Sequence, residues 1–251
     1  MKKGFRILKF KKDRPIFEVK DISKSFDGRP ILKKLSIKVF PGECVGVLGP
    51  NGCGKTTLFS MCIGEQNPES GKIYLNNKAI DQIPIHLRSK EGLGYLPQQR
   101  SAFNLSTYDN IFGICQLYFK DLSKQKAVTE KLLDEFNLQH LRSLNASVLS
   151  GGEVRRVMLA RLMINKPKIV LLDEPLAALD PQIIQDIQKY ILKIQSSGTA
   201  ILITDHNVRN LFDITDRSYV ISEGNVIAEG TSRELLKSSK AIEHYFGSQF
   251  S

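Results

Sequence analysis

From Phe17 onward, short apolar runs alternate with longer segments of helical period, the pattern of a mixed or parallel sheet covered by helices. Phe17-Glu-Val-Lys-Asp-Ile and Leu35-Ser-Ile-Lys-Val alternate with period two, which predicts half-buried strands. Cys44-Val-Gly-Val-Leu has no polar side chain, so it predicts a fully buried strand that runs into a glycine-rich turn. A helix from Lys55 to Ile63 follows, with Gly64 placed to end it. Between about Ser101 and Lys166 the β-branched runs vanish. Leu132, Leu133 and Phe136 recur there at helical spacing and a second helical run starts at Ser150, predicting a helical insertion in an α/β core. The core resumes with Ile169-Val-Leu-Leu, a helix from Pro181, Ala200-Ile-Leu-Ile and Ser218-Tyr-Val-Ile. The expected division is an arm over 1–16, one α/β domain over 17–235 with its insertion at about 101–166, and a tail over 236–251, loosely held from about Ala241.

Composition narrows the classes. The 251 residues are 41% hydrophobic and 25% charged, ordinary globular usage that excludes wholesale disorder. No window reaches the roughly 18 uninterrupted apolar residues of a membrane span. The first residues lack the apolar core of a signal peptide, so a cytoplasmic chain is expected. Cys44, Cys53, Cys62 and Cys115 form no Cys-x-x-Cys pair and have no histidine at metal-ligand spacing, which argues for reduced thiols over disulfides or zinc. The net charge of +10 is unevenly placed: residues 1–14 hold seven lysines and arginines against Asp13 alone. With Phe5, Ile7, Leu8 and Phe10 interleaved, this basic arm would suit an anionic membrane surface, and a solvated leader is the plainer alternative.

Three motifs carry chemistry. Gly49-Pro-Asn-Gly-Cys-Gly-Lys-Thr fits G-x-x-x-x-G-K-[ST] between a predicted strand and a predicted helix. Gly52 and Gly54 let consecutive N–H groups curl toward phosphate oxygens, and the following helix adds its positive end. Lys55 is then expected on the β- and γ-phosphates of a nucleoside triphosphate, Thr56 on Mg²⁺, and Thr57 on a further phosphate contact. Ile169-Val-Leu-Leu-Asp-Glu-Pro places Asp173 at the C-terminal edge of a buried strand, where it would hold Mg²⁺ through water, with Glu174 next in line to accept a proton from attacking water. In Val148-Leu-Ser-Gly-Gly-Glu, Ser150 and Glu153 form a capping box, and Gly151-Gly152 bare a second anion-binding helix end.

With its Leu-Ser-Gly-Gly-Glu run between the two nucleotide motifs, the sequence over about 17–235 resembles the ATP-binding subunits of ABC transporters. The resemblance implies a P-loop NTPase α/β core with a RecA-like sheet, an antiparallel β subdomain and an inserted helical subdomain. It also implies a head-to-tail homodimer in which each ATP lies between the phosphate loop of one copy (Gly49, Pro50, Asn51, Gly52, Cys53, Gly54, Lys55, Thr56, Thr57) and Ser150, Gly151 and Gly152 of the other. Phe26 resembles the aromatic that stacks on adenine, where tyrosine is more usual; a core phenylalanine stays open. Gln98 resembles the glutamine that senses Mg²⁺ and adjoins the membrane subunits, Asp180 the D-loop aspartate, and His206 the switch histidine at the γ-phosphate. Asp180 is also well placed to cap a helix beginning at Pro181. Cys53 occupies a variable loop position where a small residue suffices, and its place beside Lys55 and a helix N-terminus nevertheless suggests a lowered thiol pKa, with N-ethylmaleimide blocking hydrolysis unless ATP protects.

One set of motifs, and only 95 positions from Lys55 to Ser150, fit a stand-alone transporter subunit partnered by two transmembrane permease subunits at the inner membrane. Gly94-Tyr-Leu-Pro-Gln, Leu133-Asp-Glu-Phe-Asn-Leu, Ile203-Thr-Asp-His-Asn-Val-Arg and Ser222-Glu-Gly-Asn-Val-Ile-Ala-Glu-Gly-Thr resemble the ATPases of lipopolysaccharide-export systems. The basic arm, Val154 after the signature glutamate and Ala177-Ala-Leu-Asp depart from that pattern. A branched-chain amino-acid importer stays open within the class. A nucleic-acid-stimulated ATPase is the rival outside it, whereas the transporter reading predicts no nucleic-acid partner. Phe103, beyond Gln98, is expected to anchor the coupling helices of the membrane subunits.

Overall fold

The computed structural model describes residues 14–99 and 101–247; the basic arm up to Asp13 lies outside the described residues. The chain builds two sheets. Strands β1 (Phe17–Phe26), β2 (Arg29–Val39), β4 (Ser70–Leu75) and β5 (Lys78–Ala79) form an antiparallel sheet in the order β2-β1-β4-β5. The second sheet has the order β10-β9-β3-β8-β7-β6, from β3 (Cys44–Leu48), β6 (Leu93–Leu96), β7 (Ile169–Asp173), β8 (Ala200–Thr204), β9 (Arg217–Ser222) and β10 (Asn225–Gly230). All its pairings are parallel except that of the edge strand β10 with β9.

The central strands are continuously apolar because both faces of the sheet are covered. Side chains alternate faces along a strand, so Val45, Val47, Ile169, Leu171, Ala200 and Leu202 join one core with the antiparallel sheet and helix α1 (Lys55–Ile63). Cys44, Leu48, Val170, Leu172, Ile201 and Ile203 join the other core. That second core is closed by α3 (Thr107–Tyr118), α4 (Leu122–Glu135), α5 (Gly151–Leu162) and α6 (Pro181–Ser196), the α2 segment (Ile85–Glu91) lying beside β6. Helices α3, α4 and α5 all fall between β6 and β7. Among the described residues no helix is long and apolar enough to cross a membrane.

Parallel strands end on one edge of a sheet, and here that edge gathers the chemistry. Thr204 pairs with Val47 on one side and with Asp173 on the other, and Leu172 pairs with Leu96. The loops after β3, β8, β7 and β6 therefore emerge side by side, carrying the phosphate loop, His206, Glu174 and Gln98.

The loosely held tail expected from Ala241 is not what forms. After α7 (Val208–Phe212) and α8 (Ser232–Leu235), the short α9 (Ser239–Ala241) runs into a wide turn over Ile242–Phe246. Ala241, Tyr245 and Phe246 are buried in the helical core, and the Phe246 ring meets Phe212 edge-on at 6.0 Å. Tyr245 and Phe246 lie outside any apolar run and so give little local signal, but both rings are buried against the core and against each other.

Candidate active site

The phosphate loop is set by its glycines. Gly54 sits at the N-cap of α1 with φ 107°, in the left-handed region, and no side chain caps the helix. A Cβ at Gly54 would lie 2.6 Å from Leu32 Cδ2 and 3.2 Å from Ile31 O, so the bare glycine is what lets β2 pack against the loop. The β1–β2 hairpin brought up in this way carries Phe26 at its tip, where the ring is exposed and Lys24 Nζ lies 5.5 Å from its centroid. Phe26 is thus not a core residue. Lys55 is buried and turns its ammonium inward, donating to Gly49 O at 2.7 Å and Pro50 O at 3.0 Å. Its ammonium also lies 3.8 Å from Cys53 Sγ and forms no salt bridge among the described residues, so a helix N-terminus and a cation without a carboxylate partner face the same loop. This arrangement suits an anion.

The carboxylates lie at the ends of β7 and β8. Asp173 and Thr204 are register partners on the α1 face, and Thr204 Oγ1 donates to Asp173 Oδ1 at 2.8 Å. Tyr95 OH lies 3.5 Å from the other oxygen. Glu174 follows in the left-handed region with φ 48°, uncommon for a residue with a Cβ. Its Oε2 accepts from Gln98 Nε2 at 2.6 Å and its Oε1 lies 2.7 Å from His206 Nε2. Burial pushes the Glu174 carboxyl above its ordinary value, with the Asp173 and Asp205 charges adding to it and His206 and Lys55 opposing. Asp205 is buried and its carboxyl is also raised, burial outweighing the N–H groups of Asn207 and Leu176 that donate to it at 2.9 and 3.3 Å. A carboxyl raised in this way, next to an anion site, is chemically suited to taking a proton from water.

No group of three or more His, Cys, Asp or Glu side chains among the described residues is arranged to hold a metal by itself. The residues that could hold a metal are Thr56 in the first turn of α1, Asp173 at the end of β7 and Gln98, whose amide nitrogen meets Glu174; all three carry a hard oxygen. That set suits Mg²⁺, which takes one or two protein oxygens and completes its shell with phosphates and water.

A family model for the ABC transporter matches residues 32–177. Over 234 residues the chain is 42% identical to the lipopolysaccharide export system ATP-binding protein LptB of Escherichia coli K12, covering 92% of this chain and 97% of that protein. The chain belongs to the ABC transporter ATP-binding family. The Haemophilus influenzae protein of the same name is 40% identical over 94% of this chain and 98% of its own. A nucleotide-free ATP-binding cassette from an ABC transporter superposes with a TM-score of 0.83 at 26% identity, covering 92% of this chain and 99% of that one. A second cassette, in its ADP conformation, gives 0.83 at 28% identity over 93% and 99%.

In this ABC ATPase the Ser150–Glu153 run is held by its own helix start. Ser150 caps α5, and the Glu153 carboxylate accepts from Ser150 N and Oγ, both at 2.8 Å, which holds its pKa below the ordinary value. Ser150 makes no hydrogen bond to residues 49–57. Gly152 is needed for packing: a Cβ there would lie 2.4 Å from Ile183 Cγ2 of α6. Asp180 occupies the N-cap position of α6, with Pro181 in the first turn, but its side chain makes no capping hydrogen bond and is exposed, so the expected cap is backbone only.

Two further differences concern side chains. Cys53 is buried and its thiol pKa is raised, because desolvation outweighs the pull of Lys55; the expected activated thiol is absent. Thr204, Asp205 and Tyr95 also touch the site, and the motifs do not point to them. Their signal lies in Ile203-Thr-Asp-His and Gly94-Tyr-Leu-Pro-Gln: polar groups within or just after strands that are otherwise apolar or small.

Proposed function

We propose that two copies of this chain drive a transporter that extracts lipopolysaccharide from the inner membrane and moves it toward the outer membrane. Each copy hydrolyses ATP on the cytoplasmic face and sits on one of two transmembrane permease subunits. The hydrolytic part is carried by one observation, the buried Glu174 carboxylate held between Gln98 and His206 beside the phosphate loop. The cargo is supported by the LptB relatives, aligned over 97% and 98% of their lengths.

In this reading Phe26 stacks on adenine and the Gly49–Thr57 loop cradles the triphosphate. Lys55 leaves the Gly49 and Pro50 carbonyls for the β- and γ-phosphates. Thr56, Gln98 and Asp173 would hold Mg²⁺, which would supply charge neutralisation to the triphosphate. Glu174 takes a proton from the attacking water. The water oxygen bonds to the γ-phosphorus while the β–γ bridging oxygen leaves with ADP, and His206 contacts the γ-phosphate. Ser150, Gly151 and Gly152, unengaged with their own phosphate loop, meet the loop of the second copy, with Asp180 close to that junction. ATP binding closes the pair and hydrolysis reopens it.

The test is purification of the tagged chain from its native membranes in mild detergent, with the co-purifying subunits identified. Two lipopolysaccharide-export membrane proteins are expected. Amino-acid permeases would overturn the cargo, and nucleic acid in their place would overturn the transporter.

A further inference from the structure

The strand β8 is apolar from Ala200 to Ile203 and then ends in Thr204, whose side chain is fully buried. Burying a hydroxyl is costly unless both its donor and acceptor roles are met. Here both are met at the hydrolytic centre. Thr204 pairs with Asp173 in register and shares its face, so Oγ1 donates to Asp173 Oδ1 at 2.8 Å. The same oxygen accepts from Glu174 N–H at 3.1 Å, an amide that also reaches Thr204 O at 3.1 Å. An amide can only donate, so the hydroxyl proton is left to Asp173 and the direction of both bonds is determined. One hydroxyl thereby sets the rotation of the Asp173 carboxylate and anchors the backbone of Glu174 in its left-handed conformation, φ 48°.

We propose that Thr204 is a positioning residue for ATP hydrolysis: its buried hydroxyl aims the second oxygen of Asp173, the one that Tyr95 OH approaches, at the nucleotide site and aims the Glu174 carboxylate at the attacking water. This rests on the reading of Asp173 and Glu174 as the hydrolytic carboxylates. The next residue extends the same support, since Asp205 accepts from Leu176 N–H and Asn207 N–H and so ties the loop of Glu174 to the loop of His206.

The test compares full-length Thr204→Val, which keeps the shape and loses the hydroxyl, with Thr204→Ser, which keeps the hydroxyl. Steady-state ATPase gives kcat and KM. Electron paramagnetic resonance gives the affinity for Mn²⁺ in the presence of a non-hydrolysable ATP analogue, a readout independent of turnover. For Thr204→Val, kcat falls about 10–100-fold and Mn²⁺ affinity falls about tenfold, with no matching rise in KM for ATP. Thr204→Ser restores both. Unchanged kcat and Mn²⁺ affinity in Thr204→Val would overturn the proposal. So would a Thr204→Ser variant as slow as Thr204→Val, which would mean that the methyl group matters and the hydroxyl does not. If Thr204→Val fails to give a cooperative melt, Thr204→Cys, of similar volume and with a weak donor, takes its place with the same expected losses and the same overturning results. Asp173→Asn and Glu174→Gln run in parallel: normal turnover in either defeats the site reading itself. Their inactivity beside a fully active Thr204→Val defeats the positioning role alone.

Discussion

Gln98 Nε2 donates to Glu174 Oε2 across 2.6 Å, joining the loop after β6 to the end of β7. The strand register explains why they meet: Leu96 pairs with Leu172, and each of the two polar residues lies two positions further on. The other carboxylate oxygen is engaged by His206 at 2.7 Å, from the loop after β8. A shift of either loop therefore re-aims the group proposed to activate water. Gln98 is also bracketed by α5, since Arg155 donates to Pro97 O at 3.3 Å and Arg161 to Ser101 O at 2.8 Å. Two arginines of α5 are thus hydrogen-bonded to backbone carbonyls on either side of Gln98.

Replacing Glu174 with Gln removes the proposed base and should cut ATP turnover by roughly 10²–10⁴-fold while ATP binding persists. The pH profile has a definite sign. Burial raises the Glu174 pKa, and a base works only when deprotonated, so as pH falls kcat/KM should decline at a higher pH than an ordinary glutamate would give. Asp205→Asn removes one of the charges that push it upward, so its acid limb should move to lower pH. A limb that stays in place would exclude that coupling.

The Cys53 thiol should resist N-ethylmaleimide in the folded chain. Its raised pKa and burial both suppress the thiolate, although Lys55 Nζ lies 3.8 Å from its sulfur. Mass spectrometry should find labelling at this position only after denaturation. Rapid labelling of the native protein would contradict the geometry.

Gly152→Ala pits two effects against each other. Alanine gains roughly 0.5–1 kcal/mol over glycine within a helix. Its Cβ would meet Ile183 Cγ2 at 2.4 Å, an overlap that costs about 1–3 kcal/mol when packed groups must shift. A net loss of stability in urea unfolding is expected, with Ile183→Ala in the same chain recovering part of it. A stable single variant would show that α6 yields without cost.

Phe103 is half-exposed beneath the Arg161 guanidinium, 4.3 Å from its ring centroid. Arg161 and Ser101 also line a groove of about 260 Å³ with Ile85, Leu93, Tyr95 and Ile114. Phe103→Ala should reduce recovery of the membrane subunits while leaving the ATPase rate of the isolated chain unchanged. Undiminished recovery and coupled transport would remove Phe103 as an anchor.

The parts legible in the sequence are those determined locally. Cys44–Leu48, Ile169–Asp173 and Ala200–Thr204 announce themselves as unbroken apolar runs, and α1 spans Lys55–Ile63 because glycines sit at both of its ends. The Ser150–Glu153 capping box is likewise a four-residue event. What escapes the sequence is set by distant partners. Cys53 lies next to a lysine and a helix end, yet desolvation by the surrounding core decides its thiol. Asp180 has the right residue type for a cap, but its side chain makes no capping hydrogen bond. Ala241–Phe246 has no strong periodicity and is held by Phe212 and the helical core, residues that only the fold brings close. Thr204 looks like a strand end, and its weight comes from lying opposite Asp173.

The central claim is tested most directly by reconstituting the purified complex of this chain and its membrane partners into vesicles and following lipopolysaccharide release with ATP. The account predicts release that needs ATP and disappears when Glu174→Gln replaces the chain in the complex. ATP hydrolysis without lipopolysaccharide release, accompanied by amino-acid uptake in the same vesicles, would contradict it.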